Sequence, residues 1–525
     1  MIDGELVGMQ TNTVNQSKGA STSQSLSVSW PHWLTFFLLL GAATGARFYC
    51  LACKPFWFDE AFSVEVARID WRNFLHLMWW REANMSLYYL FLRLWLVFGH
   101  SPSFIRSLSA LISAATLPAI YWVGRLLCDR RVGLIAAGLF ACNAYSIRYA
   151  QEARSYALFA LLATLSSGVF ISFLRTPTHR RWTAYVMFST LAVYAHLYAL
   201  LLIAAHWLVV SWRGVPGDSH LSGEQTVRQL RRAWMVTGIA VLPLLVFVAK
   251  TGAGPIKWIS RPGITELWHF GRDFTNGLPL VYFVACLLAL VSLKTDPLAR
   301  RKDWERWRVY FLLIWLLFPI LLTLILSLAR PVFLARYMSF CIPALLILVA
   351  TGLTSLRPSW LAAVFVLVVL ILSARFVPFV YAHDFDYERD ASGAATNFIL
   401  DHSQSGDGII FHIAETRVPY EFFRSLRAGM DTASPAFKGE LGPEILFPHR
   451  GPGLDYHDFT GRPAEDMVRA EAEKHSRIWL MLMNNGTTEK PDPTTMMLTR
   501  ALPESFPKMM RWQFARVEVR LYSRQ

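Results

Sequence analysis

Apolar stretches long enough to cross a bilayer recur through most of this 525-residue chain, and they leave little choice of fold. The first runs from Trp33 to Cys53. Others lie at about 103–127, 132–148, 155–174, 182–195, 197–212, 233–250, 278–293, 308–328, 333–354 and 360–381. A helix rises about 1.5 Å per residue, so roughly 20 apolar residues span the hydrocarbon layer. In lipid every backbone polar group must be satisfied internally, which favours helices. The chain is therefore read as a polytopic α-helical membrane protein with about eleven transmembrane helices.

The chain is 54% hydrophobic and carries a net charge of +14. That charge does not point to nucleic acid, because the Lys and Arg residues lie in short loops between apolar segments. Retention of basic residues on the cytoplasmic side and attraction to anionic lipid explain it. With the N-terminus inside, the inner loops hold Arg125, Arg130 and Arg131, then Arg175, Arg180 and Arg181, then Arg213, Arg228, Arg231 and Arg232. The last large inner loop holds Lys294, Arg300, Arg301, Lys302, Arg306 and Arg308. Tyr185–Trp212 could also form one long helix, which would invert every later segment; the basic stretch 294–308 argues for two.

Residues 1–30 are rich in Ser, Thr, Gln, Asn and Gly and read as a disordered cytoplasmic tail. Residues 31–381 form the expected membrane domain, with an outer loop at 53–102. In that loop Asp59, Glu60, Glu65, Arg68, Asp70, Arg72, Arg81 and Glu82 alternate with Trp57, Trp71, Trp79 and Trp80. Such a mixture suits helices lying in the interface, and Leu87–Phe98 is too short to span. Past Tyr381 the composition turns polar. Residues 382–525 are expected to form an extracytoplasmic α/β domain. Helices are expected at Glu388–His402, Thr416–Leu426 and Pro463–Lys474, the first with Ala394, Ala395, Phe398 and Ile399 facing inward. Strands are expected at Ile409–Phe411, Arg477–Met483 and Arg516–Tyr522, and Gly451–Gly453 reads as an irregular loop. The six cysteines all lie in or beside apolar segments. Cys50 and Cys53 have the spacing of a redox or metal pair, but no second pair exists, and coincidence is the preferred reading.

Asp59-Glu60, flanked by Trp57 and Phe58, follows the first span directly. A carboxylate there can act as a general base on an incoming hydroxyl; ordinary interfacial charge is the plainer reading. The connection Gln151–Tyr156 faces the same side and concentrates Glu152, Arg154, Tyr149 and Tyr156. An arginine there can hold a phosphodiester through paired charge-assisted hydrogen bonds, or can merely pair with Glu152 to cap two helices. Arg336 and Tyr337 open a later span on that side, where a snorkelling arginine is the alternative. His196 and Tyr198 sit at an outer turn, whereas His206 and His269 read as structural or interfacial. Asn84–Tyr89, including Tyr88 and Tyr89, opens the immersed helix and is placed along the acceptor's path. No HExxH, Walker or GxGxxG motif occurs, so nothing in the sequence points to a nucleotide site.

The order of these motifs carries a resemblance. Phe58-Asp59-Glu60 precedes SLYYLFLRLW at 86–95, FIRSLSALISAATLPAIYWVGRLLCDRRVGLIAAGLFA at 104–141 and YAQEARSYAL at 149–158. YAHLYALLL at 194–202 and ARYMSFCIPALLILVA at 335–350 follow. The chain resembles the GT-C membrane glycosyltransferases of the protein O-mannosyltransferase and lipid A aminoarabinose-transferase superfamily, most closely their bacterial members. The resemblance implies an inverting transferase in the bacterial inner membrane. A polyprenyl-phosphate sugar would be the donor and an envelope protein, lipid A or glycan the acceptor. It implies that Asp59, with Glu60 beside it, is catalytic. It also implies that Glu152 and Arg154 lie near the lipid phosphate and any divalent metal ion, with Glu152 as the candidate metal ligand. Arg336, Tyr337 and Tyr156 would complete the phosphate site; Tyr88, Tyr89, His196 and Tyr198 would line the acceptor pocket. Asn84-Met85-Ser86 replaces the His-Pro-Pro or Lys-Pro-Pro of many relatives, a departure at the acceptor's path. A lipid-linked glycan transporter and a glycan-assembly scaffold are the alternatives.

Overall fold

The computed structural model describes residues 30–216, 223–252, 259–294, 299–382, 391–429, 441–450, 453–483 and 492–524. The expected polar tail lies outside these residues apart from Trp30. So do residues 295–298 of the basic loop and Gly451-Pro452. The chain begins with α1 (Trp30–Phe48) and then lays down α2 (Phe58–Arg68), α3 (Trp71–Trp80) and α4 (Ser86–Trp95). The loop at 53–102 thus carries three short helices, the number expected of it. Asp70 caps α3 by accepting from the backbone N–H groups of Arg72 and Asn73.

The membrane-embedded body follows: α5 (Pro102–Leu127), α6 (Arg130–Ala141), α7 (Ala144–Ala150), α8 (Tyr156–Arg175), α9 (His179–Ala195) and α10 (Ala199–Arg213). Next come α11 (Gly223–Ala240), α12 (Leu242–Thr251), α13 (Ile264–Phe274), α14 (Pro279–Val291), α15 (Ala299–Ala329), a 3-10 turn at Ala335–Cys341, α16 (Ile342–Thr354) and α17 (Ser359–Ala382). Among the described residues, five segments are long and apolar enough to cross a membrane, and seven if the bent pairs α11–α12 and α13–α14 each count as one span. This is a multi-pass membrane protein. The helix α16 is buried nearly all round and forms the centre of the body. Its Gly352 lies so close to α14 that a Cβ there would sit 1.8 Å from the Ala285 carbonyl oxygen. The apolar side chains of α17, by contrast, are mostly exposed, as suits a helix facing lipid.

In the membrane domain two expectations change. The segment at 132–148 is not one helix. Asn143 breaks it, capping α7 through Ser146 N–H (2.8 Å) while its amide donates to Asn276 (3.2 Å). The proximity of Cys50 and Cys53 is not coincidence: they form a disulfide. Cys50 takes a left-handed backbone just past α1 (φ 60°), and this turn brings the two Cα atoms to 5.1 Å. Between α9 and α10, the extended backbone of His196 separates two helices, as the charge argument required.

Among the described residues beyond α17, five strands form one sheet in the order β2-β1-β3-β5-β4. These are β1 (Gly408–Phe411), β2 (Glu444–Phe447), β3 (Arg477–Met483), β4 (Lys508–Phe514) and β5 (Val517–Ser523). The β2-β1-β3 half is parallel and the β3-β5-β4 half antiparallel. The helices are α18 (Ser392–His402), α19 (Arg417–Ala428), α20 (Glu465–Lys474) and α21 (Pro493–Ser505). In α18, Ala395 and Ile399 are buried, but Ala394 is exposed, contrary to the inward face expected for it. The rotation of about 100° between successive helical residues carries Ala394 off the stripe, led by Ala395 and Ile399, that meets the sheet.

The sheet unit sits on α2. Phe422 of α19 stacks on Phe56 with ring centroids 4.7 Å apart, and Phe459 meets Phe62 edge-on at 5.2 Å. Glu415 accepts a hydrogen bond from Arg81. The helix that carries Asp59 and Glu60 is thus held between the membrane body and the sheet unit.

Candidate active site

Trp57 adopts an extended backbone that starts α2, and the Glu60 carboxylate reaches back to the Trp57 N–H (3.4 Å). This local cap turns consecutive carboxylates in different directions. Glu60 is fully buried and forms a fork with Arg106 of α5. Arg106 Nε donates to Oε1 at 2.7 Å and Nη2 to Oε2 at 2.6 Å. The Ala153 N–H also donates to Oε1, at 3.0 Å. Arg106 in turn donates to the carbonyl oxygens of Leu51, Lys54 and Pro55. A charge pair out of water persists only when its hydrogen bonds are met in this way. Glu60 therefore joins α2, α5 and the 151–154 connection, whereas Asp59 faces elsewhere.

The Asp59 carboxylate is partly exposed and meets two guanidinium groups. Its Oδ2 lies 3.5 Å from Arg336 Nη2 and 3.9 Å from Arg154 Nη2. Arg154 is fixed by donating to the Ser63 hydroxyl at 3.2 Å and to the Asp59 carbonyl oxygen at 3.4 Å. Arg336 lies over the Trp57 ring at 5.6 Å. Three residues distant in sequence, each singled out above, thus meet at one point.

Aromatic rings wall this point. Tyr337 lies 4.6 Å from His196, 5.1 Å from Tyr198 and 6.3 Å from Tyr156, between centroids. Tyr198 is held by donating its hydroxyl to the Val332 carbonyl oxygen. His196 Nδ1 accepts from the Tyr198 backbone N–H at 3.2 Å, which leaves the ring hydrogen of the neutral imidazole on Nε2. That Nε2 and the Tyr156 hydroxyl are buried and have no hydrogen-bond partner among the described residues. Two cations and two unsatisfied donors at one place form a setting for an anion.

Tyr88 and Tyr89 are also buried, one step removed. The Tyr88 hydroxyl pairs with that of Ser109 at 2.8 Å, and the Tyr89 hydroxyl donates to Glu82 at 3.3 Å. Asn84 accepts from the Leu197 N–H at 3.0 Å, which ties the start of α4 to the His196 turn. His206, expected to be structural, lies buried between Ser167 and Tyr185. Glu152 is buried in the same connection as Arg154.

The sequence reading missed two groups. Arg106 could have been found as a lone charge near the start of an apolar span. In the sequence Glu82 reads only as interfacial charge. Burial pushes its carboxyl up to about 7, against the opposing pull of Arg154, the Tyr89 hydroxyl and Arg81.

The donor set around Asp59 is a poor fit to a divalent cation, since guanidinium groups occupy the carboxylate. Among the described residues, one group of three ligand-type side chains gathers within reach of a single ion: His449, Asp455 and Asp458, in the sheet unit. Arg417 donates to both His449 Nδ1 (3.1 Å) and Asp458 Oδ1 (2.8 Å), so that group also works as an ion-paired anchor.

The fold has close counterparts among solved structures. ArnT from Cupriavidus metallidurans in the apo state matches with a TM-score of 0.61 at 12% identity, over 94% of this chain and 98% of that chain. The same protein bound to undecaprenyl phosphate matches with a TM-score of 0.56 at 14% identity, over the same shares. The Archaeoglobus fulgidus oligosaccharyltransferase tethered with an acceptor peptide matches at 0.50 and 10% identity, over 86% of this chain and 69% of that one. The likeness to these structures is one of fold. No protein-family model and no curated protein sequence matches the chain.

Proposed function

We propose that this protein is an inverting glycosyltransferase that moves a sugar from a polyprenyl-phosphate donor to an envelope acceptor. The observation that carries this reading is the convergence of Asp59, Arg154 and Arg336 beside the unpartnered Tyr156 hydroxyl and His196 Nε2. The bound undecaprenyl phosphate of the ArnT structure supports a lipid phosphate as the anion. In this reading Asp59 takes the proton of the acceptor hydroxyl, whose oxygen attacks the anomeric carbon of the donor sugar. The bond from that carbon to the phosphate oxygen breaks, and the lipid phosphate leaves. Its growing charge is met by Arg154 and Arg336, with the Tyr156 hydroxyl and His196 Nε2–H as further donors. Tyr337 and Tyr198 wall the pocket, and Tyr88 and Tyr89 shape the acceptor side. Glu60 positions Asp59 and does not itself react. No step uses a divalent cation; Glu152 keeps the connection that carries Arg154.

With the eleven spans expected from the sequence, counting α6–α7, α11–α12 and the Ala335–Thr354 segment as one each, the site and the sheet unit would lie on the extracytoplasmic side of a bacterial inner membrane. Residues 31–381 then act as the membrane domain and 382–525 as the outer domain. The transporter alternative calls for charge along a path at mid-membrane, whereas the site's charges gather at one end of the bundle.

Undecaprenyl phosphate binding to the purified protein, followed by native mass spectrometry, tests the pocket. Arg154→Ala and Arg336→Ala are each expected to weaken binding at least tenfold and to lower kcat for transfer by about 10²-fold, the usual loss of one transition-state donor. Unchanged binding in both variants would remove the lipid-phosphate assignment.

Glu82 sets a pH dependence. Its raised pKa makes it neutral below about pH 7 and negative above, within electrostatic reach of Arg154. The negative form competes with the donor phosphate. KM for a phosphodiester-linked donor, which does not itself titrate there, should rise by about threefold to tenfold between pH 6 and pH 8. Glu82→Gln should flatten that rise; an unchanged profile in the variant would exclude Glu82.

A further inference from the structure

The turn between α1 and α2 holds a feature that the transfer reaction does not use. Cys50 and Cys53 are joined there, with Cys53 exposed and Cys50 half-buried. Their turn is gripped from two sides. Arg106 donates to the carbonyl oxygens of Leu51 (2.6 Å) and Lys54 (2.9 Å), one inside the disulfide loop and one just after it. The Gln151 amide donates to the carbonyl oxygen of Tyr49 at 2.7 Å. Arg106 is the residue that fixes Glu60, next to Asp59, and Gln151 opens the connection that carries Arg154. The disulfide turn is thus the shared support of both halves of the site.

We propose that Cys50–Cys53 is an oxidative modification site, closed by exchange with an oxidised dithiol protein, and that closing it sets the turn on which the Arg106–Glu60 anchor rests. The proposal takes from the reading above only that this end of the bundle faces the oxidising side of the membrane. The exchange balances. The exposed Cys53 thiolate attacks one sulfur of the donor's disulfide and expels the other as a thiolate. The Cys50 thiolate then attacks Cys53 in the mixed disulfide and expels the remaining donor sulfur. Two electrons pass to the donor, which leaves as a dithiol carrying the two protons that the cysteines lose. Because the loop is so short, the consequence is local order at the anchor and not global stability.

The test uses the full-length protein in membranes isolated with thiols trapped by an alkylating agent. Mass spectrometry should find the Cys50–Cys53 peptide two hydrogens lighter and unalkylated. Cys128, Cys142, Cys286 and Cys341, which are free, serve as internal references once the protein is denatured. Hydrogen-exchange mass spectrometry should then show the amides of Trp57 and Ala153, which donate to Glu60, exchanging at least threefold faster after reduction. The Cys50→Ser/Cys53→Ser variant should show that faster exchange with or without reductant. Transfer activity should fall about threefold to tenfold on reduction of the wild type, and the variant should be indifferent to reductant. Alkylated Cys50 and Cys53 in freshly isolated membranes would overturn the proposal. Equal exchange at Trp57 and Ala153 before and after reduction would overturn it too. Both readouts are independent of catalysis. A wild type that transfers no sugar yet behaves this way would refute the enzyme and leave the disulfide standing.

Discussion

Asp59→Asn is expected to lower sugar transfer by about 10²- to 10⁴-fold, the range lost when a positioned general base is removed, while leaving the protein folded. The substitution keeps the shape of the side chain and removes its negative charge and its basicity. Arg154 and Arg336, 3.9 and 3.5 Å from the carboxylate, then lose a counter-charge but stay held by Ser63, the Asp59 carbonyl oxygen and the Trp57 ring. Binding of the free lipid phosphate should therefore persist or tighten while kcat collapses. That split between binding and turnover separates a base from a structural carboxylate. A fall in both, with loss of thermal stability, would assign Asp59 a structural part instead.

The neighbouring residue should behave in the opposite way. Glu60→Ala leaves Arg106, which is 1% exposed, as an uncompensated charge inside the protein. Removing one partner of a buried pair costs about 3–5 kcal/mol, so the melting temperature in detergent should fall sharply and expression with it. Arg106→Met should do the same from the other side. In a double-mutant cycle the two losses should be far from additive, because the second change relieves the charge stranded by the first. Additive losses would show that the fork between them carries little of the anchor. Two adjacent carboxylates in the sequence, Asp59 and Glu60, are thus expected to divide into one that reacts and one that holds.

That division was not legible in the sequence. Asp59-Glu60 could be recognised there because two charges directly after an apolar span, between Trp57 and Phe58, are costly without a purpose. Which of the two would be buried depends on Arg106, forty-six residues away in sequence by the numbering of the pair, and on the cap that bends Glu60 back to Trp57. Arg154 and Arg336 could be picked out singly, since each opens a helix at the same end of the bundle. Their meeting at Asp59 is a product of helix packing, which no local pattern encodes. Long apolar helices such as α5, α8 and α15 were visible for the opposite reason: composition alone dictates them.

Elsewhere the misses have local causes. The strand β4 is largely exposed and shows no alternation to read, and β2 is only four residues long. The helix α13 gives no clear signal in the sequence because it is short and carries charge among its aromatics. The break at Asn143 needs Asn276 as its partner, and the bond between Cys50 and Cys53 needs the left-handed turn that follows α1. In each case a distant contact or a backbone reversal, and not the side-chain pattern, decides the outcome.

The most direct measurement is mass spectrometry of lipid-linked sugars and envelope glycans in cells lacking this protein, complemented with wild type or with Asp59→Asn at equal level. A polyprenyl-phosphate sugar should accumulate in the deleted cells, and one glycan should lose that sugar. Wild type alone should restore it, which would identify donor and acceptor together. Full restoration by Asp59→Asn, or deleted cells with unchanged lipid-linked sugars and glycans, would contradict the account.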